Sequence, residues 1–220
     1  MSRRTIEVTD ALYDYILETS LREPPILAEL REETATMRGG GMQISPEQGQ
    51  LMGLLAELIG ARRYLEVGTF TGYSSLAVAL AMGPEGRLTC CDLSESYTEV
   101  ARRYWRKAGV AERVDLRLGP ALETLDEAIA AGESGSYDYA FVDADKESYQ
   151  GYLERCHTLL RSGGLLGLDN VLWGGSVVDP AKDDADTRAI RALNAALKED
   201  PRWTISLVPI GDGLTLARKR

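Results

Sequence analysis

Arg63-Tyr64-Leu65-Glu66-Val67-Gly68-Thr69-Phe70-Thr71-Gly72-Tyr73-Ser74-Ser75 decides the fold. An apolar run ends in a glycine-rich turn and passes directly into a helical pattern. Glu66 stands one residue from the end of the strand. In a parallel α/β sheet this layout sets bare backbone and one acid beside a ligand at the carboxyl edge. The glycine spacing is not G-x-G-x-x-G, so the dinucleotide fingerprint is absent.

The spacing that remains, E-x-G-x-x-x-G, suits a ligand with a cationic amino-acid end and no pyrophosphate. S-adenosylmethionine is such a ligand. A strand-turn-helix whose glycines serve packing alone is the alternative.

Outward from this stretch, strands and helices alternate. Tyr64–Val67, Arg87–Cys91, Val114–Leu118, Tyr137–Val142 and Leu165–Leu168 read as strands, with helical patterns between them. Trp203–Val208 and Leu214–Arg218 are joined by Gly211-Asp212-Gly213, too short for a crossover helix, so they pair antiparallel. The expected fold is α/β, a doubly wound and mostly parallel sheet. Upstream, Thr5 to Met37 reads as two helices broken at Pro24-Pro25, and Gly39-Gly40-Gly41 as a hinge. Ser45-Pro46-Glu47-Gln48 predicts a helix start in which Gln48 closes a capping box, with Leu51, Leu54, Leu55 and Leu58 facing inward.

Composition narrows the class. The chain has 220 residues, 44% hydrophobic and 27% charged, which is enough for one large domain with a full core. A net charge of −9 argues against general nucleic-acid binding, which needs a basic face. The cysteines, Cys90, Cys91 and Cys156, are odd in number and form no C-x-x-C pair, which points to a reducing, cytoplasmic setting. No apolar run reaches membrane-span length, and the N-terminus lacks the apolar core of a signal peptide.

The chemistry sits at strand ends. Asp92 closes the second strand and can accept hydrogen bonds from both ribose hydroxyls; an acid beside a helix dipole is the plainer reading. The fourth strand runs into Asp143-Ala144-Asp145-Lys146 and the fifth into Asp169-Asn170. Neighbouring strand ends bring Asp143, Asp169 and Asn170 within reach of one another. All three present oxygen, which suits a hard divalent cation such as Mg²⁺ or Ca²⁺ rather than structural zinc. Lys146 lies one helical turn from Asp143, where an amine beside a cation gives up its proton more readily and can act as a base. Trp173 could wall an aromatic substrate. His157, the only histidine, falls mid-helix and away from every strand end.

With these residues in hand, the chain resembles the cation-dependent class I O-methyltransferases of the caffeoyl-CoA and catechol O-methyltransferase type. The resemblance runs from about Met42 to the C-terminus. It rests on Ser45-Pro46-Glu47-Gln48-Gly49-Gln50, Glu66 to Ser74, Lys107-Ala108-Gly109-Val110 and Gly119-Pro120-Ala121. It continues through Phe141 to Lys146, Asp169-Asn170-Val171-Leu172-Trp173 and Pro209-Ile210-Gly211-Asp212-Gly213. It implies a seven-stranded sheet with an antiparallel last strand, and a homodimer. Residues 1–41 would form N-terminal helices serving as a dimer and substrate-lid segment, and residues 42–220 the methyltransferase domain. It implies that Asp143, Asp169 and Asn170 bind Mg²⁺, Ca²⁺ or Mn²⁺ and that Lys146 is the catalytic base. Glu66, Gly68, Thr69, Ser74, Asp92 and Ala121 would contact S-adenosylmethionine. Met42 and Ile44 would cover it, and Asp143 and Asp145 match cofactor-side positions.

One departure bears on the substrate. Plant caffeoyl-CoA enzymes carry a longer, basic and aromatic insertion after the Asp-Asn block. Here Val177 to Asp186 is short and acidic and repels coenzyme A phosphates. The expected acceptor is a small phenol of the catechol class, with a caffeoyl-CoA-type thioester as alternative. A basic surface for a thioester would be sought among Arg3, Arg4, Arg31 and Arg38. Two rivals share the fold: a nicotinamide dehydrogenase, opposed by the missing fingerprint, and a non-catalytic S-adenosylmethionine-binding module, opposed by the metal set and Lys146.

Overall fold

The computed structural model describes residues 5–220; Arg3 and Arg4 lie outside the described residues. Two helices, α1 (Asp10–Ser20) and α2 (Pro25–Ala35), precede α3 (Pro46–Leu58). The alternating part then runs β1 (Arg63–Val67), α4 (Tyr73–Ala81), β2 (Arg87–Asp92), α5 (Glu95–Lys107), β3 (Val114–Leu118), α6 (Ala121–Ala130) and β4 (Tyr137–Val142). It ends with α7 (Tyr149–Leu159), β5 (Leu160–Leu168), α8 (Ala185–Glu199), β6 (Trp203–Val208) and β7 (Leu214–Lys219). The seven strands form one sheet in the order β3-β2-β1-β4-β5-β7-β6. β7 is antiparallel to both β5 and β6, and the short turn before it requires the pairing with β6. Chain direction across the sheet reverses between β1 and β4, so the ligand crevice of this fold opens there.

Period-two alternation decides what the strands show to each face. Tyr64, Leu88, Cys90, Tyr139, Phe141 and Leu165 pack with α2 to α5; Leu65, Val67, Cys91, Ala140, Val142, Leu166 and Leu168 pack with α6 to α8. Glu66 and Asp92 fall on the first of these faces, and Asp143 and Asp169 continue the same alternation just past β4 and β5. Four acids therefore line one side of the carboxyl edge.

Of the two N-terminal helices, α2 shares the first core layer through Leu27 and Leu30, whereas α1 buries no residue. The α2 segment is also tied to the glycine turn by polar contacts. Thr34 Oγ1 donates to Thr71 Oγ1 at 2.9 Å in a buried setting. The Tyr73 hydroxyl donates to Glu23, which also takes a two-pronged bond from Arg31.

Four expectations need correction. Thr5 to Thr9 are not helical: Thr9 is the N-cap of α1. Gln48 closes no capping box; Ser45 Oγ bonds Glu47 at 2.6 Å, and Gln48 is buried and turned toward Asp169. The inward face of α3 is Gln48, Gly49, Met52, Gly53 and Ala56, while Leu54 and Leu58 are exposed. Gly49 and Gly53 permit this, because a Cβ on Gly49 would stand 2.8 Å from the Tyr73 ring and one on Gly53 3.3 Å from Ala81. Lastly, β5 begins at Leu160 and passes through Gly163-Gly164, with a register shift against β4. No described helix is long and apolar enough to cross a membrane.

Candidate functional site

The glycine turn after β1 is held from two sides. Gly68, at φ 89°, lies so close to β4 that a Cβ would meet the Asp143 carbonyl at 1.8 Å, so no side chain fits. Asp92 organises the other side: its Oδ2 accepts from the amides of Thr69 at 2.9 Å and Phe70 at 2.7 Å, and its Oδ1 from that of Ser94 at 2.7 Å. Asp92 is thus a loop anchor as well as an acid at a strand end. Ser74 is buried in the first turn of α4. Leu93, next to Asp92, is 74% exposed at the carboxyl edge.

Glu66 is fully buried. Oε2 accepts from the Tyr64 hydroxyl at 2.8 Å, and Oε1 has no hydrogen-bond partner. Burial pushes its carboxyl up to about 8, against the pull of the nearby Ser74, Tyr64 and Thr69 hydroxyls. A buried carboxylate with a free oxygen fits a ligand that brings its own positive charge.

The second group sits beside the first, across the β1–β4 junction. Lys146, 7% exposed, donates to Asn170 Oδ1 at 2.6 Å, the Tyr149 hydroxyl at 2.8 Å and Asp143 Oδ1 at 3.0 Å. Asp169 Oδ2 accepts from Gln48 Nε2 at 2.8 Å and Oδ1 from the Asn170 amide at 2.7 Å. Burial raises the Asp143 carboxyl despite Lys146. Burial, together with the charge of Asp143, pushes Asp169 up to about 7. A part-buried and a buried carboxylate that repel each other, Asp143 and Asp169, with an amide oxygen beside them, suit a hard divalent cation. Among the described residues no three His, Cys, Asp or Glu side chains converge on one point; the candidate set is two carboxylates and an amide.

The Trp173 ring centroid lies 5.5 Å from Lys146 Nζ. The loop carrying Asn170 and Trp173 is held by the β6–β7 turn: Val171 and Leu172 amides donate to the Gly213 and Asp212 carbonyls, and the Gly174 amide to Asp212 Oδ1 at 2.6 Å. Among the described residues, the non-glycine ones with positive φ are Phe70, Asn170 and Trp173, all in these two loops. Asn tolerates that conformation; for bulky Phe and Trp it is strained, and such strain gathers at functional sites.

Of the sequence-predicted residues, Glu66, Gly68, Thr69, Ser74 and Asp92 come together around one turn, and Asp143, Lys146, Asp169, Asn170 and Trp173 form the adjoining cluster. Ala121 opens α6. Ile44 is buried and Met42 is exposed beside Gly39. Asp145 is exposed, and its Oδ1 accepts from the Tyr152 hydroxyl. His157 packs edge-on against Trp203, far along α7 from the strand ends. Sequence reasoning missed Gln48, Tyr149, Asp212 and Tyr64. Only Tyr64 carried a local signal, since it shares a strand face with Glu66 at i, i+2.

A family model described as O-methyltransferase matches residues 17–220. The chain belongs to the O-methyltransferase family. It is an S-adenosylmethionine-dependent O-methyltransferase by that membership. Its relatives include a caffeoyl-CoA O-methyltransferase of Eucalyptus gunnii, 44% identical over all of this chain and 91% of the relative. Catechol O-methyltransferase domain-containing protein 1 of Mus musculus is 46% identical, over 94% of this chain and 79% of that protein. Among solved structures, the O-methyltransferase TomG of Streptomyces achromogenes in complex with SAM aligns with a TM-score of 0.85 and 32% identity, covering 95% of this chain and 96% of that one. The Bacillus cereus O-methyltransferase in complex with SAH aligns with a TM-score of 0.85 and 28% identity, over 96% and 97% of the two chains. The methyltransferase thus has the expected architecture.

Proposed function

We propose that this methyltransferase transfers the methyl group of S-adenosylmethionine to a phenolic oxygen of a small catechol-like acceptor, and that it does so with a divalent cation. The observation that carries this reading is the convergence of Lys146, Asp143, Asp169 and Asn170 beside Trp173, next to the glycine turn. Asp143, Asp169 and Asn170 would hold the cation, which supplies charge that favours an ionised phenolic oxygen. Lys146 is placed to take the phenolic proton at Nζ. Trp173 offers an aromatic wall. Glu66 and Asp92 hold the amino-acid and ribose parts of the cofactor, Thr69, Ser74 and Ala121 add polar contacts, and Leu93 offers an apolar surface to a flat heterocycle. Met42 and Ile44 cover the cofactor, with Asp145 at its edge. Much of the rate comes from positioning, since acceptor oxygen, methyl carbon and sulfur must lie in line.

The segment from Val177 to Asp186 supports the small acceptor. Arg191 gathers the carbonyls of Ser176, Val177, Asp179 and Lys182, which draws the backbone inward. Asp179, Asp183 and Asp184 are left exposed. Such a surface meets coenzyme A phosphates with like charge. Arg31 is committed to Glu23. The second reading, a caffeoyl-CoA-type thioester, is favoured by relatives of that name from Eucalyptus gunnii and Zea mays, each 44% identical over the whole chain.

Exposed Leu54 and Leu80 flank one cavity of about 720 Å³, with Leu58 a turn further along α3; this apolar surface supports a homodimer, with residues 1–41 as contact and lid. Three free, buried thiols support a reducing, cytoplasmic compartment. The deciding experiment compares kcat/KM for caffeate and caffeoyl-CoA at one Mg²⁺ concentration. Caffeate should win; a tenfold or greater preference for the thioester, about 1.4 kcal/mol in the transition state, would reverse the assignment.

A further inference from the structure

Glu66 meets no positive charge from the described residues around it. The ionisable groups that face it are Tyr64 on its own strand, Cys90 and Asp92 on β2, and Tyr139 on β4, with Cys91 close by on the other face of the sheet. Each is neutral or acidic near neutral pH. Tyr64 is locked in place: it is fully buried, and its ring sits edge-on to that of Tyr139 with centroids 5.3 Å apart. Its hydroxyl donates to Oε2 of Glu66, whereas the Tyr139 hydroxyl, equally buried, has no partner. With Oε2 occupied by a donor, the proton of a neutral Glu66 belongs on Oε1, the buried oxygen that has no hydrogen-bond partner and lies near the Ser74 and Thr69 hydroxyls.

We propose that cofactor capture is a proton-releasing step carried by Glu66, with Tyr64 as its positioning residue. The ammonium of the cofactor's amino-acid end replaces the Oε1 proton, and that proton leaves to solvent. Charge balances: a neutral acid and a cationic ligand become an ion pair and one free proton. The proposal rests on the reading of the cofactor site given above and deepens it. Burial that holds the carboxyl's proton up to about 8 agrees with it. Tyr64 has two effects here. It keeps Oε1 toward the ligand, and it stabilises the ionised form once the ammonium has arrived.

The test is titration calorimetry of the 220-residue protein at pH 6.0 to 7.5, in buffers of different ionisation enthalpy, with S-adenosylmethionine and with S-adenosylhomocysteine. The second probe keeps the ammonium and lacks the sulfonium. Both should release close to one proton per site at pH 7, and affinity should fall up to tenfold for each pH unit lowered within that window. Glu66→Gln should bind more weakly, with no buffer-dependent heat. Tyr64→Phe removes one oxygen from a packed ring; it should weaken binding several-fold at pH 7 and move the pH midpoint upward. Tyr139→Phe should leave both quantities unchanged. Binding with no proton release, or release that survives in Glu66→Gln, overturns the proposal and leaves the cofactor reading intact. Release with S-adenosylmethionine alone overturns the ammonium assignment. An equal midpoint shift in Tyr139→Phe overturns the role given to Tyr64. No binding of either probe removes the cofactor reading itself.

Discussion

Gln48 Nε2 donates a 2.8 Å hydrogen bond to Asp169 Oδ2, joining the first turn of α3 to the end of β5 across 121 positions of sequence. Both side chains are buried. The contact orients one carboxylate of the candidate metal set, and it explains why Gln48 does not cap its own helix. Gln48→Ala should lower stability by about 1–3 kcal/mol, because a buried acceptor loses its donor. It should also raise the Mg²⁺ concentration needed for half-maximal activity by roughly 10–100-fold, as loss of an orienting contact does. Thermal unfolding and a Mg²⁺ titration check the two effects. A loss of stability with an unchanged Mg²⁺ requirement would make the contact purely structural.

Asp143 and Lys146 are expected to separate in a metal titration, although they touch. Asp143→Asn should remove most activity at low Mg²⁺ and recover part of it at high Mg²⁺. Lys146→Met should lower kcat by about 10²–10⁴, the range for a general base, at every Mg²⁺ concentration. Excess EDTA should abolish turnover of the unaltered enzyme, and Mg²⁺ should restore it. Full activity in EDTA would falsify the metal set.

Asp92 has two tasks, and its substitution should show both. Its carboxylate accepts three backbone amides from Thr69, Phe70 and Ser94. Asp92→Ala should lower the unfolding temperature and weaken S-adenosylmethionine binding by roughly 1.5–3 kcal/mol, the range for one hydrogen bond to a charged group. Calorimetry showing an unchanged dissociation constant alongside the lower unfolding temperature would leave Asp92 a loop anchor only.

Glu66 should make the ligand-free protein less stable as pH rises. Its folded carboxyl holds the proton up to about 8, against 4.5 as its ordinary value. Between those limits the folded state binds more protons than the unfolded state, so the stability it contributes is full below 4.5 and is lost as pH climbs through about 8. One such proton changes stability by at most about 1.4 kcal/mol per pH unit. Denaturant midpoints from pH 5 to 8.5 should therefore fall less steeply in Glu66→Gln than in the unaltered protein. Parallel slopes would mean that Glu66 is ionised throughout.

The sequence by itself determined the alternation of strands and helices, the antiparallel final strand and the placing of Glu66, Asp92, Asp143, Lys146, Asp169 and Asn170 at strand ends. Those features are local: period-two burial, glycines where φ must be positive, and a turn too short for a crossover. The tertiary structure alone decided which face of α3 is buried, because Gly49 and Gly53 let α4 approach where the leucines had pointed elsewhere. It alone decided that Gln48 serves Asp169, that Asp212 and Gly213 hold the Asn170 to Gly174 loop, and that Lys146 finds Tyr149 and Asn170 as partners. A side chain with two possible partners, one local and one remote, follows the contact that satisfies a buried charge, and which charges are buried is known only once the layers have packed.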